Sequence, residues 1–468
     1  MKKTKIVCTI GPASSDEKTL EKMINAGMNV ARLNFSHGTH ESHLIEIERV
    51  KKLREKLNEP IAIMLDTKGP EFRIGKFENG KIKIKPNDIF VFTSKDILGN
   101  NKVVSVKPKS IIQKLKVGDT VLVSNGLVGF KVIEKNNFDA ICKAITGGEL
   151  YDNKSMNFPE KIVTGAFLSN QDKSDLLFGI KNGIDLVACS FVSCAKDVSS
   201  VRRFLNENGG SHIDIIAKIE NQPGIDNIDE ILNIADGIMI GRGDMGVEIA
   251  MEKLPQIQKQ IIAKCIEKGK TVITATEMLE SMINNSRPTR AEVSDVANAV
   301  YDGSSAIMLS GETAMGKYPV EAVKLMANIA IQTESNINYT KRYDAMTSKT
   351  YSELDAVSRT AVRLAIDTNS KILFACSKTG KTIKSISRFH SPTTVIGATT
   401  DKNVYYKLAI LFGVEPEMVE DYPTLGALFD GITNIAKQKY KLKKGDNIVI
   451  TGGIGKMTNT NLVKVEKI

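Results

Sequence analysis

Short apolar runs alternate with amphipathic segments along most of the chain. Runs such as KIVCTI near the amino terminus and TVITAT from Thr271 are typical of buried strands, and the segments between them have helical periodicity. Eight such strand–helix units in about 240 residues predict an α/β fold built on a closed (β/α)8 TIM barrel. A doubly wound open sheet is the alternative, although such sheets usually contain fewer units before a domain ends.

The alternation is interrupted between Arg73 and Gln171. β-Branched residues alternate with polar ones in KIKIK, IFVFT and VVSV, turn dipeptides separate these runs, and helical periodicity is almost absent. We therefore predict a small all-β domain inserted after the third barrel strand, where it would act as a lid over the barrel rim.

After Ser335 the pattern changes again, through a polar linker that ends near Lys349. A third unit begins at Leu354 and contains the strand candidates KILFAC, TTVIGAT and NIVITGG. The predicted domains are the first part of the barrel (1–72), the inserted β-barrel lid (73–170), the second part of the barrel (171–345) and a C-terminal α/β regulatory domain (346–468).

The composition predicts a soluble globular protein. The 468 residues are 42 % hydrophobic and 25 % charged, and no run approaches the ~18 apolar residues of a membrane helix. The start MKKTKIVCTIGP reaches Gly-Pro too early for a signal peptide, and six scattered cysteines predict free thiols in a reducing cytoplasm. The net charge of +10 is spread along a chain without Trp, so polyanionic small substrates explain it as well as nucleic acid does, and we expect neither nucleic-acid nor membrane binding.

Charged residues follow two neighbouring predicted strands. Lys218 and Glu220 come at the end of the fifth barrel strand, and Asp244 follows the sixth. The carboxyl ends of parallel strands meet at one rim of a barrel, and a lysine beside two carboxylates outlines a site for a divalent metal and a phosphate. A structural Lys–Glu ion pair beside an unrelated turn aspartate is the alternative for these three residues alone.

The ends of the other strands favour the functional interpretation, because stability alone does not favour so many polar groups at one rim. The opposite strand ends carry Asn29, Glu59, Asp214 and Lys270, which have the character of ordinary turn residues. The rim residues are Arg32, Asn34, Ser36 and His37 after strand 2, Asp66, Thr67, Lys68 and then Arg73 after strand 3, Arg242 and Gly243 after strand 6, Thr274, Thr276 and Glu277 after strand 7, and Ser310 and Glu312 after strand 8.

Each residue type has a matching chemistry. Glu220 and Asp244 suit Mg2+ with positions left open for substrate oxygens, and the point charge of Lys218 would neutralise a phosphoryl group in transfer. Arg32 and Arg73 would bind other phosphate oxygens. The weak-field oxygens of Asn34, Ser36, Asp66 and Thr67 suit a monovalent cation, whereas His37 either faces a nucleotide phosphate or is structural.

Two glycine-containing segments resemble known phosphate-binding motifs. The segment from Gly241 to Gly246 matches GxGxxG, but the acid expected ~20 residues later is Glu267, inside a predicted helix, so we favour a turn that presents a metal-binding carboxylate. The SKTGKT segment fails the P-loop pattern because Ala375 stands where glycine is required. Its hydroxyls, amides and two lysines still predict a phosphate site for an effector, with a solvated loop as the alternative, and its residues are Ser377, Lys378, Thr379, Gly380, Lys381 and Thr382.

Taken together, the motifs resemble the pyruvate kinase family from Lys3 to the carboxyl terminus. The matching segments, in order, are TKIVCTIGPAS, NVARLNFSHG, LDTKGPEFR, IAKIEN, GRGDMGVE, SRPTRAEVSDVANAVYDG and IMLSGETA. The resemblance implies phosphoryl transfer from phosphoenolpyruvate to ADP, giving pyruvate and ATP at the last step of glycolysis. It also implies a cytoplasmic, allosteric homotetramer that requires Mg2+ (or Mn2+) and K+.

The resemblance assigns roles residue by residue. Lys218 matches the lysine that stabilises the phosphoryl group in transit, and Thr276, with Ser310 and Glu312 behind it, would serve protonation of the enolate. The other matches are the catalytic and substrate-binding Arg32, the substrate contacts Gly243, Asp244 and Thr276, the nucleotide contacts Asn34, His37, Arg73 and Lys154, the Mg2+ ligands Glu220 and Asp244, and the K+ ligands Asn34, Ser36, Asp66 and Thr67.

Some positions depart from the family pattern. Glu71 matches the K+-dependent branch, but Ile74 stands where that branch commonly has Thr. Ser124 and Asn125 replace a usual Asp-Asp pair in the lid, and the other changes are Glu277 for Gln, Phe412 for a frequent Trp, and a short loop after Gly452. Another barrel enzyme acting on phosphoenolpyruvate or a 2-oxo acid, such as an aldolase or mutase, and a catalytically weakened regulatory binder therefore stay as alternatives.

Overall fold

The chain opens with the first three strands of a parallel barrel. The computed structural model describes residues 2–70, 72–159, 167–346, 352–453 and 460–468. Its first elements are β1 (Lys5–Thr9), α1 (Glu17–Ala26), β2 (Val30–Asn34), α2 (His40–Leu57) and β3 (Ala62–Asp66). The Asp16 carboxylate caps the first turn of α1, and Gly27 ends that helix at a φ of +118°, which glycine adopts without strain.

A small all-β barrel, the inserted domain, follows β3. Its elements are β4 (Phe72–Ile74), β5 (Lys81–Ile84), β6 (Ile89–Thr93), β7 (Val103–Lys107), α3 (Ile111–Lys114), β8 (Thr120–Val123), β9 (Val128–Lys135), β10 (Asp139–Ala144), β11 (Gly148–Tyr151) and β12 (Ser155–Asn157). Seven strands close in the order β10-β6-β7-β4-β12-β8-β9, and β5 pairs with β11. Three buried rings, of Phe90, Phe92 and Phe130, fill its core with centroids 5.2 to 5.7 Å apart.

The chain then returns to the first barrel and completes it. The elements are α4 (Asn170–Lys181), β13 (Leu186–Cys189), α5 (Ala195–Glu207), β14 (Asp214–Ile219), α6 (Gln222–Asp226), α7 (Ile228–Ile234), β15 (Gly237–Gly241), α8 (Arg242–Glu248), α9 (Leu254–Lys268), β16 (Thr271–Ala275), α10 (Arg290–Asp302), β17 (Ala306–Leu309), α11 (Gly311–Ala314) and α12 (Pro319–Ser335), with 3-10 turns at Met251–Lys253 and Glu280–Ile283. Eight parallel strands close in the order β1-β17-β16-β15-β14-β13-β3-β2, which confirms the predicted (β/α)8 barrel.

Two local predictions were wrong, and the connection between β14 and β15 consists of two short helices because Asn227 leaves the helical conformation at the end of α6. The predicted linker after Ser335 contains α13 (Tyr339–Ala345), which buries two tyrosine rings and so carries an apolar face that its polar residues obscure. The glycine segment after β15 is a helix, α8, and not a turn.

The C-terminal part is an α/β unit with one mixed sheet. Its elements are α14 (Glu353–Asp367), β18 (Ile372–Cys376), α15 (Lys381–Ser387), β19 (Thr394–Thr399), α16 (Lys402–Lys407), β20 (Val414–Met418), α17 (Leu425–Gln438), β21 (Asn447–Gly452) and β22 (Leu462–Lys467), with a 3-10 turn at Leu408–Ile410. The strand order is β20-β19-β18-β21-β22, and only β22 is antiparallel to its neighbour. The sequence had not indicated β20 and β22, whose segments VEPEM and LVKVEK carry the charges typical of sheet edges.

Across the described ranges, no helix has the combination of length and apolar character that crossing a lipid bilayer requires. The six cysteines are all unpaired thiols, and four of them are buried.

A buried ion cluster joins the C-terminal unit to the base of the barrel. Asp214, the first residue of β14, accepts hydrogen bonds from Lys384 of α15 and, at 3.3 Å, from Lys407 of α16. Burial alone would raise the pKa of Asp214, but the two lysines outweigh it and hold that pKa below its usual value. Asp214 is therefore a domain contact and not the ordinary turn residue that the sequence suggested.

We expect Asp214→Asn to destabilise the protein, because it leaves two largely buried lysines without their shared carboxylate. Breaking a buried ion pair from one side costs about 3 kcal/mol or more. A folded-state pKa below the unfolded value of about 4 gives stability that is complete above pH 4 and lost as the pH falls through the folded pKa. Thermal melts should show a large deficit for the variant at pH 7 that shrinks below pH 4.

Asp229→Asn is the matched control, since Asp229 pairs with Lys264 at 2.6 Å on the exposed surface. Equal melting temperatures for Asp214→Asn and Asp229→Asn at pH 7 would contradict a stabilising role for the cluster.

Candidate active site

The side chain of Lys218 lies at the centre of the barrel rim. It is 8 % exposed, and its ammonium has three acceptors: Ser190 Oγ at 2.7 Å, Glu220 Oε1 at 3.0 Å and Asp66 Oδ1 at 3.1 Å. Burial alone would lower the pKa of Lys218, but Asp66 and Glu220 outweigh it and leave that pKa raised. The lysine is therefore a charged group inside the rim.

Asp66 connects Lys218 to a second cation. Its Oδ2 accepts a 2.6 Å bond from Nε of Arg32, and Arg32 also donates to the Thr9 hydroxyl at 2.7 Å. Burial opposes ionisation of Asp66, but Arg32 and Lys218 hold the pKa of Asp66 below its usual range. Strands β1, β2, β3 and β14 thus contribute to one charged network.

Glu220 follows β14 and packs against the end of β15. One of its oxygens accepts from the Phe191 amide at 2.8 Å, and a Cβ on Gly241 would stand 2.6 Å from Glu220 Cγ, so only glycine leaves room there. Burial raises the pKa of Glu220 against the attraction of Lys218, and Asp244 and Asp66 add to the rise.

Asp244 lies in the first turn of α8, where its side chain is exposed to the cleft. No set of three His, Cys, Asp or Glu side chains forms a metal site among the residues that the structure describes. Glu220 and Asp244 are a two-carboxylate pair, and two hard ligands leave most of an octahedral cation's positions for water and substrate. The donor set therefore fits a divalent cation such as Mg2+.

The loop after β16 presents Thr276 to the same rim. Thr276 and Glu277 both have positive φ angles, +67° and +53°, which are uncommon for residues with a side chain. Arg242 holds the strained loop through the carbonyls of Thr276 at 2.6 Å and Glu277 at 2.8 Å. The Thr276 hydroxyl accepts from the Gly243 amide at 2.8 Å, which places the two predicted substrate contacts side by side.

Behind this loop lie Ser310 and Glu312. Both Glu312 oxygens accept backbone amides, from Leu279 at 3.0 Å and from Ser310 at 2.7 Å, so the carboxylate joins two loops. The Ser310 hydroxyl is buried and has no hydrogen-bond partner in the described protein.

The predicted nucleotide contacts Arg73 and Lys154 line a cleft of about 320 Å3 between the inserted domain and the barrel. Asp244 lines the same cleft from the barrel side. Asn125 lines it too, whereas its neighbour Ser124 is buried, so only one of the two substituted lid positions faces the cleft.

The predicted monovalent-cation residues lie at the ends of β2 and β3. Asn34 and Asp66 are direct neighbours in the strand register, Ser36 follows in the loop, and the carbonyl of Thr67 accepts from Ser190 at 2.7 Å. His37 is exposed. Glu71 lies outside the described residues, as does most of the loop after Gly452.

The predicted effector segment lines a separate cavity of about 820 Å3 in the C-terminal unit. Gly380 caps the amino end of α15, and the cavity lining includes Ser377, Lys378, Thr379, Lys381 and Thr382 together with Thr399 and Tyr422.

The sequence analysis missed three residues of the rim and cleft. Thr9 ends β1 and Ser190 follows β13, so applying the strand-end rule to all eight strands would have found both. Glu248, at the end of α8, lines the cleft and lies 3.5 Å from Nδ2 of Asn157 on the inserted domain. Its GVE context gives no separate signal in a single sequence.

Comparisons with known proteins identify the family of this chain. The family models described as the pyruvate kinase barrel domain and the pyruvate kinase alpha/beta domain match residues 1–323 and 355–466. The chain belongs to the pyruvate kinase family. It is 42 % identical over the full length of both chains to a pyruvate kinase of Clostridium perfringens, and 42 % identical to one of Clostridium acetobutylicum over 100 % of this chain and 99 % of the relative. A crystal structure of a pyruvate kinase from Cryptosporidium parvum superposes with a TM-score of 0.95 at 37 % identity, covering 100 % of this chain and 96 % of the other.

Membership of the pyruvate kinase family establishes the reaction. The chain is a phosphotransferase that moves the phosphoryl group of phosphoenolpyruvate to ADP, giving pyruvate and ATP, and the family uses a divalent metal and K+. The aldolase, mutase and non-catalytic alternatives are therefore set aside.

Two departures from the pyruvate kinase pattern are packing residues in this fold. The Ile74 side chain is 1 % exposed and belongs to the core of the inserted domain. The Phe412 ring stacks on His390 with centroids 3.9 Å apart.

Proposed function

We propose that Lys218 is the group that stabilises the phosphoryl group during transfer. The observation that carries this proposal is a buried, charged ammonium with Asp66 on one side and Glu220 on the other. A charge that is 8 % exposed is screened less by water than a surface charge, so it interacts strongly with the negative oxygens of a phosphoryl group. Arg32, held by Asp66 and Thr9, binds further oxygens of phosphoenolpyruvate and is the second catalytic cation.

Glu220 and Asp244 hold the divalent cation, Mg2+ or Mn2+. A divalent cation supplies positive charge to the oxygens of the substrate and of the phosphoryl group. Glu220 must be ionised to serve as a ligand, and as a ligand it would no longer be free for its ion pair with Lys218. Asp244 also lies in the nucleotide cleft, where it would contact substrate.

Thr276 and Gly243 complete the site for phosphoenolpyruvate. The Gly243 amide and the Thr276 hydroxyl are hydrogen-bonded neighbours, so both would face the same end of the substrate. Thr276 also serves protonation of the enolate, and the unpartnered Ser310 hydroxyl behind it suits a chain of waters that brings the proton. Glu312 supports that route by fixing the backbone on both sides.

ADP binds in the cleft between the inserted domain and the barrel, with Arg73 and Lys154 on its phosphates. Asn34, the last residue of β2, and His37, in the loop after it, would also contact the nucleotide. K+ binds to Asn34, Ser36, Asp66 and Thr67, where one carboxylate, already shared with Arg32 and Lys218, contributes a weak field among neutral oxygens.

We retain the domain division at 72/73, 170/171 and 345/346. The separate sheets support three units, although β4 (Phe72–Ile74) and α4 (Asn170–Lys181) each extend one residue across a boundary. A cytoplasmic location fits six unpaired thiols. The homotetramer is carried over from the pyruvate kinase family.

A phosphorylated allosteric effector binds the C-terminal cavity through the segment from Ser377 to Thr382. Support comes from the size of the cavity and from its connection to the barrel. Helix α15 begins beside the cavity and carries Lys384, which pairs with Asp214 at the start of β14, the strand that bears Lys218. A change at the cavity therefore has a short rigid route to the active site.

Lys218→Met tests the central assignment. Removing the buried charge should lower kcat for ATP formation about a thousandfold or more, with a much smaller change in KM for phosphoenolpyruvate, as expected for a group that acts mainly in the transition state. A coupled assay of pyruvate formation measures both constants.

Lys270→Met is the matched control, because Lys270 lies at the opposite end of the barrel and donates to the Ala235 carbonyl at 2.7 Å. If Lys218→Met and Lys270→Met retain similar activity, Lys218 does not stabilise the phosphoryl group.

Lys381→Ala tests the effector site. Activation by a panel of sugar phosphates and nucleoside monophosphates is compared in the wild type, in this variant and in Lys402→Ala, whose exposed lysine pairs with Glu55 on the surface. In Lys381→Ala, the effector concentration that gives half-maximal activation should rise at least tenfold. The rate of this variant without effector should be unchanged. Intact activation of Lys381→Ala by every compound that activates the control would remove the proposed site.

A further inference from the structure

Ser190 follows β13 and is buried, with 3 % of its surface exposed. Its hydroxyl lies 2.7 Å from Lys218 Nζ, 2.7 Å from the Thr67 carbonyl and 3.2 Å from Asp66 Oδ1. It is the one uncharged group among the three acceptors of the Lys218 ammonium.

The partners of Lys218 and Ser190 show which group donates and which accepts in each hydrogen bond. The Lys218 ammonium donates hydrogen bonds to Ser190 and Asp66 and forms an ion pair with Glu220 at 3.0 Å, so its three N–H groups have three partners nearby. Ser190 accepts from Lys218 and has one proton to give, for which the Thr67 carbonyl is the nearest acceptor. The chain runs from Lys218 through Ser190 to Thr67.

The backbone of Ser190 is held by the segment that follows β3. Its amide donates to Thr67 Oγ1 at 3.3 Å. A Cβ on Gly69 would stand 2.9 Å from both the Cβ and the carbonyl oxygen of Ser190, so this glycine, at a φ of +71°, lets the segment that leads to the inserted domain pack directly on Ser190. The hydroxyl is therefore fixed relative to Asp66 and Thr67, and it makes no hydrogen bond of its own to Glu220.

We propose that Ser190 is the positioning residue for Lys218. The inference rests on the proposed roles of Lys218 and Glu220. When Glu220 serves as a metal ligand, the ammonium loses one of its three acceptors, and Ser190 and Asp66 are the two that keep it in place. The third N–H is then free for the phosphoryl oxygen. A neutral hydroxyl suits this task, because a third carboxylate would hold the ammonium more tightly and compete with the substrate.

Ser190→Ala tests the proposal with two measurements. We expect kcat to fall about tenfold, with KM for phosphoenolpyruvate changed less than threefold, since a hydrogen bond to a charged group is lost. In the absence of substrates, the dissociation constant for Mn2+, measured from the electron paramagnetic resonance signal of free Mn2+, should rise at least threefold. Without Ser190, Lys218 is held by Asp66 and Glu220 alone and yields Glu220 less readily.

Two further variants complete the test. Ser190→Cys keeps the shape with a weaker acceptor and should fall between the wild type and Ser190→Ala in both measurements, which also decides the matter if the alanine variant does not fold. Ser304→Ala removes another buried barrel hydroxyl, bonded to Thr274 at 2.8 Å, and should behave as wild type.

Both quantities must change together. A folded Ser190→Ala variant whose kcat and Mn2+ affinity both lie within twofold of the wild type, or in which only one of them changes, overturns the inference. Retained activity in Lys218→Met would instead overturn the proposed function, so the two failures are distinguishable.

Discussion

Taking the ammonium of Lys218 out of water costs several kcal/mol, and the fold meets this cost with Asp66 and Glu220, which face the ammonium from strands β3 and β14. The same arrangement constrains everything around it. Asp66 is kept ionised by Arg32 as well as by Lys218. Glu220 accepts a hydrogen bond from the Phe191 amide, and it fits only because Gly241 has no side chain. The rim is therefore one connected set of charges in which each charged group is held by its neighbours.

Much of this was predictable because strand ends in a parallel barrel are fixed by periodicity. The runs that became β2, β3, β14 and β15 were recognisable, and so the residues that follow them had to meet at one rim. What the periodicity could not supply is pairing in three dimensions. That Asp66 lies between Arg32 and Lys218, and that Arg242 holds the strained loop at Thr276, depends on side-chain directions that no linear pattern contains.

The failures have physical causes of the same kind. Asp214 resembles a turn residue when the sequence is considered alone, and its role appears only when α15 and α16 bring Lys384 and Lys407 to it. The edge strands β20 and β22 carry charges that hide their extended conformation. Only the first case involves residues far apart along the chain. The bonds from Lys384 and Lys407 to Asp214 connect the C-terminal unit to β14, the strand that bears Lys218.

In the proposed site, Lys218 and the divalent cation compete for Glu220 before substrate binds. The most direct test is Mn2+ binding to Lys218→Met without substrates, with Lys270→Met as the control for the loss of one positive charge. If the two compete, Lys218→Met binds Mn2+ at least tenfold more tightly than the wild type, because the ammonium that pairs with Glu220 is gone. The Mn2+ affinity of Lys270→Met should stay within about twofold of the wild type. Unchanged or weaker Mn2+ binding in Lys218→Met would show that Lys218 and the cation do not compete for Glu220.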